Sequence, residues 1–335
     1  MYDPGTLYQD PILTNFSVGF KDQALYGDRI FPVTPVLTQS GRYRVFDRSA
    51  WLVFESAREP GAVANEIVGA KWAEDTFYTR ERSLQVPIYD EERQQLTSQG
   101  GFANPVFGGA MQLNPELDAT TLATRSILLD LESKVSTLVR DPSQYAAANK
   151  TALSGASQWD NYTGGVTSTS NPVNDIMVGM RAVYAATLRY PNTLIIPAMG
   201  MSYIENHPRV VDRFKTFTLT MDNAFQLLTG FQGTILAVDS VYNAANNIDA
   251  TINVQSFWGK DVWLGIVDPA LGLNTFTFGK TFSQTYPDGS TRPTDRWREE
   301  PRKADIIRVS MKYDLKIVSA GAGYLIQTAF SPTAF

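Results

Sequence analysis

The feature that most narrows the fold is one amphipathic stretch, LNPELDATTLATRSILLDLESKVSTLVRD, with Asn114-Pro115 at its start and Pro142 just past its end. Asn before Pro is helix-start chemistry, because Pro is tolerated in the first turn and Asn can cap it, while a Pro beyond the last turn stops a helix. Leu117, Thr121, Thr124, Leu128, Leu131, Val135 and Leu138 recur at alternating spacings of four and three, which places them on one helical face. A helix of about 26 residues at 1.5 Å each is a rod of roughly 39 Å. Such a rod is a spine, and the apolar face through Leu128, Leu131, Val135 and Leu138 is expected to lie on a β-sheet.

The remaining segments give that spine its context. Pro4, Pro11, Pro32 and Pro35 interrupt the first forty residues, so these are expected to form an extended arm with turns. The apolar residues of the arm, Ile12, Leu13, Phe16, Val18 and Phe20, are too few for a core of their own, so contacts elsewhere, within the chain or on a neighbour, are expected to order it, a neighbouring subunit foremost. GRYRVFDRSAWLVF (41–54) begins with alternating residues, SLQVPI (83–88) alternates again, and a polar stretch with a Pro60-Gly61 turn lies between. The expectation is a long two-stranded excursion from Gly41 to Ile88, which needs support from elsewhere because an isolated hairpin is marginal in water.

Further helices are expected over Pro172–Leu188, Gly200–Asn206 and Met221–Leu228, among strands at PNTLIIP, GTILAV, KDVWLGIV and NTFTFGKTF. ADIIRVSMKYDLKI (304–317) alternates strongly, and Ala320–Phe330 is expected to continue it as one long β-unit. Asp288-Gly289 signals a hairpin between Phe282 and Trp297. Helices and strands interleave without a βαβ rhythm, which makes the class α+β.

Composition removes most chemistry. The 335 residues are 43% hydrophobic and 19% charged, enough to bury a real core, and their formal net charge of -5 is the wrong sign for gripping nucleic acid. With no Cys and one His, thiolate catalysis, disulfide frameworks and metal sites built on several imidazoles are excluded. His207, in Glu205-Asn206-His207-Pro208, reads as a polar residue at a helix end. GGFANPVFGG (100–109) lacks the Lys-Ser/Thr ending of a phosphate loop and reads as a flexible joint. Asp90, Glu91 and Glu92 would suit a carboxylate-dependent hydrolase or an oxygen-ligand metal site, although an acidic helix start is the commoner meaning. No apolar run approaches the roughly 18 residues of a membrane span. The expectation is therefore no catalytic residue, cofactor, metal or membrane partner.

Charge of both signs does collect around the excursion, where Arg42, Arg44, Arg48, Arg58, Arg80 and Arg82 accompany Glu55, Glu59, Glu66, Glu74, Asp75 and Glu81. This is either a solvated hairpin or an arm that docks on complementary charge. Arg42, Arg44, Arg48, Arg58, Glu66, Arg80 and Arg82 are the candidate assembly-interface residues.

The order of motifs resembles the major capsid proteins of tailed bacteriophages with the Hong Kong ninety-seven fold. RIFPVTPVLTQSGRYRVFDRSAWL resembles the end of that family's N-terminal arm and the first strand of its extended loop, and LLDLESKVSTLV resembles its spine helix. QWDN followed by NPVNDIMVGMRAVY, and PNTLIIPAMGMSYIENHPRVVDRFK, resemble its next helix and its strand, helix and His-Pro turn. The resemblance implies an N-terminal arm (1–40), an extended loop (41–88), a peripheral domain (89–190 and 290–335) with spine helix 115–140, and an axial domain (191–289). It implies a head protein that self-assembles as pentamers and hexamers into an icosahedral shell. The implied setting is a virion capsid, assembled in the host cytoplasm around DNA held without sequence-specific contacts, with a portal and a decoration protein as further partners. Some relatives carry an N-terminal scaffolding region, whereas here the arm motifs begin near Met1, so a separate scaffold or none is expected. Lys-to-Asn cross-linking, known in a few relatives, finds only Lys71 in the excursion and no identifiable acceptor. The alternatives are an encapsulin-like nanocompartment shell, which shares the fold, and a hydrolase.

Overall fold

The structure is a computed structural model and describes residues 8–22, 24–46, 56–58, 60–61, 63, 72–91, 93, 114–214, 229–244, 251–270 and 277–331. It begins with a two-residue strand, Tyr8–Gln9 (β1), and a helix, Pro11–Gly19 (α1). The Asp10 carboxylate accepts the Ile12 and Leu13 amides at 2.9 and 3.2 Å. The expectation of an arm without helix is thus corrected: Pro11 occupies the first turn, where its missing N–H has no intrahelical partner to lose. Residues 10–20 of the arm are also held by contacts within their own subunit, although Ile12, Phe16 and Val18 stay exposed. Leu13 is buried with Ile88, Ala119 and Ile307, the Asp10 amide donates to the Thr294 carbonyl at 3.0 Å, and Arg292 donates to the Val18 carbonyl at 2.8 Å.

A short helix, Gly27–Ile30 (α2), and three strands, Val33–Val36 (β2), Ser40–Phe46 (β3) and Trp72–Tyr78 (β4), precede Arg80–Tyr89 (β5). The spine is α3, Pro115–Arg140, with the Asn114 side chain accepting the Glu116 amide at 3.1 Å. Lys150–Ala152 (β6), Pro172–Thr187 (α4), Thr193–Pro197 (β7), Ala198–Glu205 (α5) and Pro208–Phe214 (α6) follow. The helix expected over Met221–Leu228 lies outside the described residues. Thr234–Val238 (β8), Val241–Asn243 (β9), Val254–Ser256 (β10), Val262–Gly265 (β11), Gly279–Gln284 (β12), Thr294–Glu299 (β13), Ala304–Ile317 (β14) and Gly323–Gln327 (β15) complete an α+β fold.

One six-stranded sheet is organised on β14. Its residues 304–313 pair with β5 along one edge, which leaves the other edge to β13 (residues 304–309) and β12 (residues 313–317). Both run antiparallel to β14 and so point the same way. The Asp288-Gly289 turn therefore sits in an insertion between two collinear strands, not in the hairpin expected from its chemistry. β2 pairs parallel to β12, with Pro35 within it, and the two-residue β1 closes the other end against β13. A proline-bearing strand and a very short one are poor templates for unwanted pairing.

The five-stranded sheet has the order β6-β15-β11-β7-β8. Hence β14 and β15 belong to different sheets, which corrects the single long β-unit. The corner is steric as well as local: a Cβ on Gly323 would lie 2.5 Å from the Phe278 ring, and the Val318 and Ser319 amides both donate to the Phe278 carbonyl at 2.8 and 3.2 Å.

α3 packs against β5 and β14, as its apolar face requires. Thr124, Leu128, Leu131 and Val135 are buried as expected, while Leu117, Thr121 and Leu138 are only half-buried and Ile127 and Val139 are fully buried. The buried face is rotated and widened because α1 and α2 also cover the helix, enclosing Thr120 and Glu132.

Candidate assembly interface

The excursion departs from the sheet at Thr79, which is buried and donates its amide and hydroxyl to the Gln39 carbonyl at 2.8 and 3.1 Å. β3 pairs antiparallel with β4, from Ser40 opposite Tyr78 to Phe46 opposite Trp72. The expected partner of residues 41–46 was the strand at 84–88. That strand is instead taken by β14, with Leu84 opposite Val309 and Ile88 opposite Asp305. The root of the β3–β4 hairpin is fastened by aromatic contacts: Phe77 stacks on Phe282 at 4.7 Å, Tyr43 lies 5.0 Å from the same ring, and the Tyr78 amide donates to Asp314 at 2.9 Å. Gly41 is required by this packing, since a Cβ there would meet the Phe77 ring at 2.8 Å. Beyond the root, Ala73, Glu74, Asp75 and Thr76 are exposed.

The candidate arginines separate into two settings. Arg42 and Arg44 lie on β3, both exposed; Arg42 pairs with Glu74 at 3.2 Å and Arg44 stands opposite Glu74 in the ladder. Tyr43 donates to Asp75 at 2.7 Å; burial and that bond push the phenol up, and the same bond, with the Thr76 amide, holds the Asp75 carboxyl down. Arg58 is exposed. Arg48 and Glu66 lie outside the described residues. Arg80 and Arg82 sit on β5, in the six-stranded sheet and not on the hairpin. Arg82 turns inward, 3.5 Å from Asp130 with its guanidinium 4.7 Å over the Tyr313 ring.

Charged clusters that sequence reasoning missed lie at the base of the sheet. Asp305 accepts from Arg93 at 2.7 Å and Arg296 at 3.1 Å; burial would raise its carboxyl, and those two guanidiniums bring it below the usual range. Asp90 is held by a two-pronged bond from Arg298, at 2.7 and 2.6 Å. Of the acidic trio considered for catalysis, Asp90 is thus engaged in a structural ion pair, Glu91 is exposed, and Glu92 is outside the described residues. These residues are spaced so widely in sequence that no local motif marks them.

The most enclosed charged group is Glu132, on the inner side of the spine. It accepts the Tyr26 and Gly27 amides at 3.0 and 2.5 Å on one oxygen, and Ser240 and Trp258 Nε1 at 3.1 and 2.7 Å on the other. Burial pushes its carboxyl up, opposed by these four donors. One side chain therefore ties the N-terminal segment and the region around β9 and β10 to the spine. A glutamate inside an otherwise apolar stripe was the available signal.

His207 is fully buried. Its Nδ1 accepts the Arg209 amide at 3.3 Å, capping α6, so Nε2 carries the proton and donates to Ser170 Oγ at 3.1 Å. Burial, and then the Arg209 guanidinium, pull the imidazole below its ordinary value. It is the helix-end residue expected, used for capping and packing against Tyr162 at 5.7 Å. The Trp159 and Asp175 motifs also meet, with the indole N–H donating to the carboxylate at 2.9 Å. Among the described residues, no group of three or more side chains could hold a metal, and no helix is long and apolar enough to cross a membrane.

No protein-family profile matches the chain. It is 25% identical over 318 residues, 95% of each chain, to a major capsid protein of Burkholderia phage BcepMu. A major capsid protein of Pseudomonas phage JBD67 is also 25% identical, over 234 residues that cover 70% of this chain and 67% of that one. Among solved structures, a phage-related protein from Bordetella bronchiseptica superposes with a TM-score of 0.70 at 22% identity, covering 96% of this chain and 97% of that one. The capsid of cyanophage P-SCSP1u superposes with a TM-score of 0.56 at 9% identity, covering 93% and 90%. The structural matches carry the fold, and the two curated relatives carry the name of the family. The long spine against a sheet, the rooted hairpin and a match running the length of the chain agree: this chain is a homologue of the phage major capsid proteins and has the Hong Kong ninety-seven fold.

Proposed function

We propose that this protein is the shell subunit of a phage head, assembling with copies of itself as pentamers and hexamers into a closed icosahedral capsid around DNA. The observation that carries this reading is the β3–β4 hairpin, fastened to its own subunit at the root by Phe77, Tyr43 and Tyr78 and exposed beyond it. A two-stranded ribbon has little stability of its own, so a lasting function for it requires a surface to lie on. Arg42, Arg44 and Arg58, with Arg48 and Glu66, are the residues through which it would meet a neighbouring subunit, and exposed Arg80 flanks its root. Packaged DNA would be enclosed without sequence-specific contacts, in keeping with the formal net charge of -5.

The division into arm 1–40, loop 41–88, periphery 89–190 with 290–335, and axis 191–289 describes proposed roles in the shell. Hydrogen bonding crosses those limits, because β12 joins the sheet of β14 and β6 and β15 join the sheet of β7. A portal and a decoration protein are the further partners this role would bring, with a separate scaffold or none, and assembly would take place in the host cytoplasm. The role proposed is structural rather than enzymatic, so His207→Gln should leave any assayed hydrolysis unchanged. Electron microscopy of the purified chain tests the whole reading. Closed shells of genome size are expected; small shells around cargo enzyme would favour a nanocompartment, and dispersed particles at all concentrations would overturn a shell role.

A further inference from the structure

The C-terminal end of α4 breaks a local rule. Leu188 caps this helix in the left-handed conformation, at φ 58° and ψ 20°, where glycine is the usual choice because a Cβ is crowded there. Leu188 is 44% exposed, so the subunit gains little burial in return. Beside it Tyr184 and Tyr190 stack at 4.7 Å while 42% and 65% exposed. The Tyr190 ring continues into an open groove of about 590 Å³ walled by Met177, Met180, Pro191 and Phe231, with exposed Arg181 also lining it. Aromatic, methionine and arginine side chains around a concavity are the composition of an interface centre. The Leu188 amide donates to the Tyr184 carbonyl at 2.7 Å, but the exposed side chain gains little for the strain, which points to a further contact outside the subunit.

A second apolar surface lies at the other end of β8. The groove's last residues, Thr229 to Gly233, run directly into β8, and β9 starts three residues after β8 ends, about 17 Å away along the strand. In the β9–β10 hairpin Val254 pairs with Asn243, which puts Val254 and Val241 on the same face by side-chain alternation. Val241 and Val254 are exposed, as is Ile252 just before β10. The opposite face is held by Tyr242 stacking on Phe257 at 4.5 Å. Exposed Asp239, one oxygen of which accepts the Tyr26 hydroxyl at 3.1 Å, adjoins this hairpin, as Arg181 adjoins the groove.

Resting on the shell reading above, we propose that the groove beside Leu188 and Tyr190 receives the Val241 and Val254 face of a second copy of this chain, head to tail. Arg181 then faces Asp239 of the partner subunit, which gives the contact its charge complementarity. Two unlike patches at opposite ends of one strand make a heterologous contact. Such contacts propagate around a ring, whereas a self-complementary patch stops at a dimer.

The test uses the full chain, with sedimentation velocity and negative-stain microscopy reporting the assembled fraction and a melting temperature reporting the subunit. Leu188→Gly relieves the left-handed cap, so the subunit should melt no lower than the wild type while the assembled fraction falls about tenfold. Arg181→Glu and Asp239→Arg should each lower assembly similarly, and the two combined should recover it to within about twofold of wild type. Wild-type particles together with normal assembly of Leu188→Gly and Arg181→Glu would leave the shell reading standing and overturn this contact. Assembly lost in the single variants and not recovered in the exchange would overturn the pairing of groove with hairpin. A wild-type chain that stays monomeric at every salt and protein concentration would sink the shell reading and this contact together.

Discussion

Glu132 and the β3–β4 hairpin both use charge, in opposite surroundings. Glu132 is 1% exposed and each of its oxygens accepts two donors, whereas the Arg42 and Glu74 side chains that pair at 3.2 Å are 76% and 46% exposed. A buried charge without its donors is costly, so the knot must be complete for the subunit to fold. An exposed pair is screened by water and salt and contributes little to a single subunit, so its residues are free to serve specificity between subunits. Folding therefore rests on the spine, and under the proposed shell role recognition would be concentrated where the chain leaves it.

The sharpest way to break that contrast is to empty the knot. Glu132→Ala leaves two backbone amides, an indole N–H and a hydroxyl without their acceptor, and should cost about 4 kcal/mol in denaturant unfolding. A loss no larger than that of an exposed site would mean that water satisfies these donors and the knot is dispensable. Leu131→Ala, on the same helix and 2% exposed, should cost about 2 to 5 kcal/mol through lost burial and a residual cavity. Less than about 0.5 kcal/mol would show that the spine face is not packed as described.

A smaller effect is expected from pH at His207. Its folded pKa lies below the ordinary imidazole value, so the unfolded chain binds the proton more readily. The stability this contributes is complete above about pH 6.5 and is lost as pH falls toward the folded pKa. Protonation would also set an Nδ1–H against the Arg209 N–H that Nδ1 now accepts. Asn is a good capping residue and does not titrate. His207→Asn should therefore show a shallower decline in unfolding free energy between pH 7 and pH 5 than the wild type, and equal slopes would place the imidazole in solvent. Least of all should the subunit feel charge reversal on the hairpin: Arg42→Glu with Arg44→Glu is expected to change its stability by about 0.5 kcal/mol or less while impairing assembly. Assembly equal to that of the wild type would remove these two arginines from the interface.

Local patterns proved legible where the local chain controls the outcome. The Asn114-Pro115 cap and the three-four spacing located α3, and strong alternation located β14 over Ala304–Ile317. The four prolines were read too strongly, because Pro11 in a first turn starts a helix as readily as it ends one. Of the candidate interface, only the first strand of the hairpin was visible, as the alternation over Arg42–Val45; its partner Trp72–Tyr78 was not, and the second alternating run, 84–88, belongs to β5. The inward turn of Arg82 toward Asp130 was not, since it depends on a helix residue distant in sequence.

What the sequence determined by itself is the main elements, though not α1 or β4: an amphipathic rod long enough for a spine, strands of period two, an α+β order, and a residue inventory with no cysteine and one histidine. Tertiary structure alone decided which strands meet. β5 passes its whole length to β14 and leaves β4 for β3, β12 and β13 lie end to end on one edge, and a corner at Gly323 sends β15 to a second sheet. The reason is physical: periodicity is imposed by bonds within a segment, whereas pairing, the rotation of the spine's buried face and the four donors on Glu132 follow from which distant surfaces exclude water together.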